Sequence, residues 1–366
     1  MRILHIIDDL DMGGAQCLLV ELSKAQISLS NDVSVLAFKK ISNQTIVNQL
    51  ETNGVTVIML TGRNPYNPIN VFRIIPYLNY YDVIHAHLFP ALYWVGIAKI
   101  LCFGRVPPVF YTEHSTKNRR RSNPFLRRVD NFIYKKGYDE IIACSDKALE
   151  TFRNIYPSVK HIIAINNGVD IYKYKNATPY SKEELWGIDK NTFVFTMVAR
   201  FAYMKRQDTL VDALSKLPPN YHVAFVGGEP NDDGLVKVEK HAKELNVSDR
   251  VHFMYMRTDI PRILKSSDAV VMSSEYEGLS LSSVEGMSSG KPFIATNVTG
   301  LIEVVKGAGI LFELGNSDEL AGILMHLSTD ERYREEVVDK CIERAQNFDI
   351  SKMVDLYMLE YRKFLQ

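Results

Sequence analysis

Thirteen times along this chain a short run of β-branched and other apolar residues, bounded by Gly, Asn, Asp or Ser, alternates with a stretch of helical periodicity. That rhythm specifies βα units, because strands of a parallel sheet are covered on both faces and read as near-continuous apolar runs. The first half predicts strands at 3–8, 33–38, 55–60, 83–87, 109–113, 141–144 and 162–166. After a polar stretch near 170–184 the rhythm restarts, with strands at 193–199, 223–227, 251–256, 269–273, 293–296 and 310–313. More than ten parallel strands in one open sheet would be unusual, so two doubly wound sheets are expected: a first domain over 1–170 and a second over 171–350. Apolar Met353, Leu356, Tyr357, Leu359, Tyr361 and Leu365 recur at near-helical spacing and predict a closing helix over about 351–366, returning to the first domain. A length of 366 residues fits two domains, and 46% apolar with 23% charged residues, without low-complexity tracts, excludes a disordered chain.

Open parallel sheets bind ligands at the carboxyl ends of their strands, so the chemistry is sought there. After the first strand, Gly13-Gly14-Ala15-Gln16 leads into a helix, where backbone N–H groups can approach an anion; a tight strand-to-helix turn reads the same way. The third glycine of G-x-G-x-x-G is missing and Lys39-Lys40 follow the second strand, which disfavours a nicotinamide dinucleotide. Asp9-x-Asp11 sits in this first loop and reads as part of the turn rather than as a metal site. His85 and His87 share one strand face at the mouth of the first sheet; His85 reads as a structural residue and His87 equally as structural or functional, whereas His114 ends a strand and is expected to donate a hydrogen bond to a hydroxyl or carbonyl ligand. No G-x-S-x-G elbow or nucleophile–His pair is evident.

In the second half, Arg200 closes a strand and Lys205 lies just before the next helix, a fork and a point charge suited to a diphosphate. The segment Glu275-Tyr276-Glu277-Gly278-Leu279-Ser280-Leu281-Ser282-Ser283-Val284-Glu285-Gly286 follows another strand and places Glu277 in a loop and Glu285 in a helix beginning near Ser280. Gly286-x-x-x-Gly290-Lys291 resembles a P-loop only superficially, since it is one residue short, is followed by Pro292, and ends a helix.

The Glu277-x7-Glu285 pair in this setting resembles the signature of the retaining glycosyltransferases of family GT4, which have the GT-B fold. So do Gly13-Gly14-Ala15-Gln16, Asn167-Gly168-Val169-Asp170, Arg200 with Lys205, Gly227-Gly228-Glu229-Pro230 and Asp259-Ile260-Pro261. The resemblance covers nearly the whole chain. It implies that Arg200, Lys205 and Gly14 bind a donor diphosphate, and that Glu285 holds the ribose. Glu277, the amides of Gly278, Leu279, Ser280 and Leu281, and His114 would meet the donor sugar, with the base near Met256 and Arg257. It further implies a nucleoside-diphosphate sugar as donor, a glycan or lipid-linked acceptor, and no metal or other cofactor. Ala199 stands where the family often has Gly, and Gly-Gly-Glu-Pro replaces Gly-Asp-Gly-Pro. An epimerase or hydrolase of the same fold, or a non-catalytic sugar-nucleotide-binding protein, would share these motifs.

Charge adds one expectation. The 43 basic and 43 acidic residues cancel, which argues against nucleic acid as a partner. Yet residues 1–170 carry 19 Lys and Arg against 14 Asp and Glu, and 117–136 alone carry Lys117, Arg119, Arg120, Arg121, Arg127, Arg128, Lys135 and Lys136 against Asp130. Either a solvated helix face or attraction to anionic lipid or a pyrophosphate-bearing acceptor accounts for such a run. The four scattered cysteines suggest neither disulfides nor a metal knuckle, and the apolar stretch 89–103 contains Lys99 and is too short to span a bilayer. A poor signal-peptide pattern at the N-terminus completes the expectation of a cytoplasmic protein, peripheral to the inner face of a membrane if the basic run binds lipid.

Overall fold

The computed structural model describes residues 1–11, 13–39, 44–60, 64–104, 106–114, 119–278 and 280–365, apart from the side chain of residue 119. The chain divides into two compact units, Met1–Gly168 with Ile350–Gln366, and Val169–Asp349. The first contains β1 (Arg2–Ile7), β2 (Asp32–Ala37), β3 (Thr56–Met59), β4 (Val83–His87), β5 (Val109–Glu113), β6 (Glu140–Ala143) and β7 (Ile162–Ala164). They form one sheet in the order β3-β2-β1-β4-β5-β6-β7, parallel throughout. The second contains β8 (Phe193–Val198), β9 (Tyr221–Val226), β10 (Val251–Phe253), β11 (Ala269–Met272), β12 (Phe293–Thr296) and β13 (Ile310–Phe312), in the parallel order β10-β9-β8-β11-β12-β13.

The described strands coincide with the thirteen apolar runs, with ends displaced by at most three residues. The largest shortening is at β10, where Tyr255 takes a left-handed φ of 52° and turns the chain out of the ladder. In both sheets the order reverses beside the first strand, between β1 and β4 and between β8 and β11. Successive crossovers there pass to opposite faces, so their loops part and leave a crevice at the carboxyl ends.

In the first unit Leu4, Ile6, Ile84, Ala86 and Tyr111 are buried against Leu92, Val95, Ile133 and Phe152 on one face of the sheet. On the other face Val33, Val35 and Ala37 meet Leu19, Val20 and Leu50. The closing helix, Ile350–Lys363, belongs to this unit and buries Met353, Val354, Tyr357, Met358 and Tyr361. The helix Pro124–Gly137 begins where the sequence supplies both a cap and a starter: Asn123 Oδ1 accepts from the N–H groups of Phe125 (2.9 Å) and Leu126 (3.2 Å), and Pro124 occupies the first turn. It runs against the helix Ala91–Leu101, and the two backbones approach at Gly96 and Gly137. A Cβ on Gly137 would lie 2.6 Å from the Gly96 Cα and 3.0 Å from its carbonyl carbon, atoms that cannot swing away. Among the described residues no helix is long and apolar enough to cross a membrane.

Gly137→Ala is therefore expected to cost about 1–3 kcal/mol through overpacking. Urea unfolding of the full chain checks this; an unchanged midpoint would show that the two helices separate without penalty.

Candidate active site

The crevice of the second unit is assembled from the loops that follow β8 and β11. Beyond β8, Arg200 is exposed, and its guanidinium has no hydrogen bond or ion pair among the described residues. Its carbonyl accepts from Gln207 Nε2 at 2.9 Å, which ties the loop to the start of the helix Gln207–Ser215. The turn Tyr203–Lys205 closes with Arg206 at a left-handed φ of 51°. That turn is fastened to the β11 loop: Ser273 Oγ lies 2.8 Å from the carbonyl oxygens of both Lys205 and Arg206, and the Glu275 N–H donates to Met204 O at 2.8 Å.

These bonds bring together two residues singled out 72 positions apart. Lys205 Nζ donates to Glu277 Oε1 at 2.5 Å, and Ser274 Oγ donates to the same oxygen at 2.7 Å. Their side chains are only 18% and 14% exposed, so the pair is largely withdrawn from water and screened little by salt. Gly300 forms the wall behind Glu277. It has φ +89°, and a Cβ there would lie 2.1 Å from the Glu277 carbonyl oxygen and 2.6 Å from that of Gly278. Only glycine lets the chain pass so close.

The helix Leu281–Ser288 starts at this point, capped by Ser280, whose Oγ accepts from the Ser283 N–H at 3.3 Å. The first N–H groups of a helix have no intrahelical carbonyl to reach, so Leu281 and Ser282 offer donors here. Ser283 Oγ is buried without a hydrogen bond among the described residues, and Glu285 lies half-buried one turn further on. Leu279 is outside the described residues. After β10, Met256 is exposed, whereas Arg257 is held by Asp259, with Nε to Oδ1 at 2.8 Å and Nη2 to Oδ2 at 2.6 Å. The Arg257 and Tyr180 hydrogen bonds depress the Asp259 carboxyl to about 2. The Arg257 guanidinium thus braces its own loop.

In the first unit Gly14 opens the helix Gly14–Ser28 after β1, with Gly13 as its extended N-cap. Asp9 Oδ1 accepts from the Asp11 N–H (3.1 Å) and Gln16 Nε2 (3.2 Å), and Asp11 pairs with Lys39 at 3.0 Å, so the Asp9-x-Asp11 turn binds itself. His114, partly exposed after β5, has Nε2 3.2 Å from His87 Nδ1, and His87 Nε2 is 3.0 Å from His5 Nδ1. Sequence reasoning missed His5 and its partner Gln26. His5 becomes a neighbour of His85 only when β1 pairs with β4, in a register that sets the two residues side by side.

His5, His85 and His87 bring ligand-type nitrogens within 4.8 Å of one another. The His85 and His87 rings are stacked, with centroids 4.3 Å apart and 20° between planes, so their in-plane lone pairs run side by side rather than converge on one point. Each ring nitrogen of the three also has a protein partner.

The basic run 117–136 requires a correction. Arg121 donates to Glu113 at 2.8 Å with both side chains buried, and Arg120 lies 3.5 Å from buried Asp130 and 4.1 Å over the Phe89 ring. These two arginines neutralise carboxylates inside the unit and present no charge to a partner. Lys117 and the Arg119 side chain are outside the described residues. Exposed on the helix Pro124–Gly137 are Arg127, Arg128, Lys135 and Lys136, with Phe125 and Phe132.

Residues 181–348 match the family model described as glycosyl transferases group 1, and residues 12–173 that described as glycosyltransferase family 4, together well over half of the chain. The chain is 29% identical over 290 residues to the Escherichia coli UDP-Gal:alpha-D-GlcNAc-diphosphoundecaprenol alpha-1,3-galactosyltransferase, covering 75% of this chain and 73% of that protein. Anabaena HepE in complex with UDP superimposes with a TM-score of 0.85 at 25% identity, over 99% of this chain and 100% of HepE. Its complex with UDP-glucose gives 0.84, also at 25% identity and with the same coverage.

The histidine layer makes a stability prediction. Burial pulls His5 and His114 down to about 4, and His85 and His87 well below 6.5. Unfolding lets each take up a proton at its ordinary value, so their stabilising contribution is full above about pH 6.5 and is lost as pH falls toward 4. For His5 alone this is on the order of 3 kcal/mol. Asp8 and Glu140, raised by burial to about 6 and 7, act in the opposite sense but are outnumbered. Urea midpoints should fall steadily from pH 7 to pH 5; a flat profile would contradict the buried neutral imidazoles.

Proposed function

The chain belongs to the group 1 glycosyl transferases of glycosyltransferase family 4, and from that membership we propose a retaining, metal-independent enzyme of bacterial surface polysaccharide biosynthesis. It moves a sugar from a nucleoside diphosphate to a hydroxyl of a glycan or lipid-linked acceptor. One observation carries the reading. At the strand-order reversal of the second unit Arg200, without a side-chain partner among the described residues, stands on the loop that also bears Lys205, and Lys205 is held by a carboxylate beside the start of a helix. The likeness to HepE, solved with UDP and UDP-glucose, and to a transferase named for UDP-Gal and a diphosphoundecaprenol-linked sugar favours a uridine diphosphate hexose and a lipid-linked acceptor.

In this reading the leaving diphosphate develops negative charge as the glycosidic bond breaks. Arg200 forks onto it, and Lys205 contributes the second positive charge. The N–H groups at Leu281 and Ser282 add a third donor set. Lys205 and the two N–H groups are held in the free chain, so they do not reorganise during the reaction. Glu277, fixed by Lys205 and Ser274, orients donor-sugar hydroxyls, and Glu285 takes the ribose. Gly14 and His114 of the first unit are assigned to the phosphates and the sugar. The acceptor hydroxyl attacks from the face that the diphosphate leaves, and its proton passes to a phosphate oxygen of the leaving group. This accounts for retention without a protein nucleophile. Met256, exposed after β10, is assigned to the base in this reading.

The acceptor side is proposed to work at an anionic membrane surface. On the helix Pro124–Gly137, Phe125, Arg128, Phe132, Lys135 and Lys136 fall on one side at helical spacing, all exposed. The helices Asn70–Leu78 and Ala91–Leu101 follow alongside and expose Phe72, Ile100 and Leu101. Aromatic rings among cations suit a lipid headgroup layer, each cation contributing about 1 kcal/mol.

Arg200→Ala and Lys205→Ala should each lower kcat/KM for release of UDP from a UDP-hexose by about 10²–10³, measured on a panel of nucleotide sugars with lipid-linked acceptors. Unchanged turnover in both would remove the diphosphate assignment. The combined Arg128→Glu, Lys135→Glu and Lys136→Glu variant should no longer pellet with phosphatidylglycerol vesicles; undiminished pelleting would exclude this helix as the membrane contact.

A further inference from the structure

His114 is the outer end of a file of hydrogen bonds in the first unit. Gln26 Oε1 lies 2.8 Å from His5 Nε2, His5 Nδ1 lies 3.0 Å from His87 Nε2, and His87 Nδ1 lies 3.2 Å from His114 Nε2. A neutral imidazole has one N–H and one lone pair, so the role of one nitrogen dictates that of the other. A carbonyl oxygen can only accept. His5 therefore gives its Nε2–H to Gln26 and accepts at Nδ1. His87 gives its Nε2–H to His5, and His114 gives its Nε2–H to His87. The file has a direction, and among the described residues the one ring nitrogen left over is His114 Nδ1, a lone pair.

A second branch fits the same sense. Tyr361 Oη lies 2.5 Å from His85 Nδ1, His85 Nε2 lies 2.7 Å from Thr112 Oγ1, and Thr112 Oγ1 lies 3.1 Å from the Tyr357 hydroxyl, distances compatible with donation from Tyr361 to His85 and from His85 to Thr112. Gln26 Nε2 is buried without a hydrogen-bond partner among the described residues and stands near the Tyr361 hydroxyl. Turning the Gln26 amide over would reverse the protons of His5 and His87 and convert His114 Nδ1 into a donor. Burial holds the imidazoles of the file below their ordinary titration range, so none carries a second N–H at neutral pH.

We propose that Gln26 and His5, acting through His87, are positioning residues that fix the tautomer of His114, so that His114 meets its ligand as a hydrogen-bond acceptor at Nδ1. An acceptor at that point selects a hydroxyl and repels a carbonyl or phosphate oxygen, which revises the expectation that His114 donates. The nature of the ligand, a hydroxyl of the donor sugar, rests on the glycosyl-transfer reading; the direction of the file does not.

The test uses the full chain labelled with 15N-histidine. Two-bond 1H–15N correlations at pH 7.5 separate Nδ1–H from Nε2–H imidazoles, and single substitutions assign the signals. The expected result is Nε2–H at His5, His87 and His114 alike. Gln26→Leu removes the head of the file, and His114 should then populate both tautomers. Turnover of UDP-hexose should fall about tenfold, as for one lost hydrogen bond, while binding of UDP alone is retained. Nδ1–H at His114 in the unsubstituted protein would overturn the proposal, and so would an unaltered His114 tautomer in folded Gln26→Leu. Nε2–H throughout in a chain that turns over no nucleotide sugar would leave the file standing and overturn the glycosyl-transfer reading instead.

Discussion

Both sheets build outward from a first strand in one direction and then in the other, and the chemistry of each unit depends on that reversal. A parallel strand must be covered on both faces, so each crossover chooses a side, and where two choices diverge the loops cannot close over the strand ends. In the second unit the gap lies between β8 and β11, and Arg200, Lys205 and Glu277 stand on the loops that border it. In the first unit the same reversal makes β1 and β4 neighbours, which sets His5 beside His85 and one ring away from His87.

The cations of the chain divide into those already used and those kept for a ligand. Arg120 and Arg121 compensate Asp130 and Glu113, which could not remain charged in the interior alone. Arg257 is consumed by Asp259. Lys205 is intermediate: Glu277 neutralises it in the free chain and fixes where its ammonium stands. Arg200 is uncompensated among the described residues, and its exposure makes it the group most able to move toward a ligand.

The polar layer of the first unit carries a different cost. His5, His85, His87, Gln26 and Thr112 occupy positions where aliphatic residues would bury with less difficulty. A buried polar group is tolerable when its partners are complete, and here nearly every imidazole nitrogen has one. The penalty therefore falls on acid conditions, when the rings would have to charge, and what is gained at neutral pH is a single proton order.

The thirteen strands, their grouping in two sets and the residues at the strand ends were legible in the sequence, because periodicity and turn residues are local properties. Arg200, Lys205, Glu277, Glu285 and His114 were readable for the same reason, each being the first polar group after an apolar run or at the head of a helix. Pairing was not legible. That Lys205 meets Glu277, that Arg120 and Arg121 turn inward, and that His5 joins His87 and Gln26 all depend on which strands become neighbours and in what register. Those choices are made by burying whole sheets under helices, a balance over the entire chain that no short segment records. The sequence by itself determined which groups are present and where along the chain they emerge; the tertiary structure decided which are neutralised, which are left for a ligand, and in which direction the protons of the histidine file point.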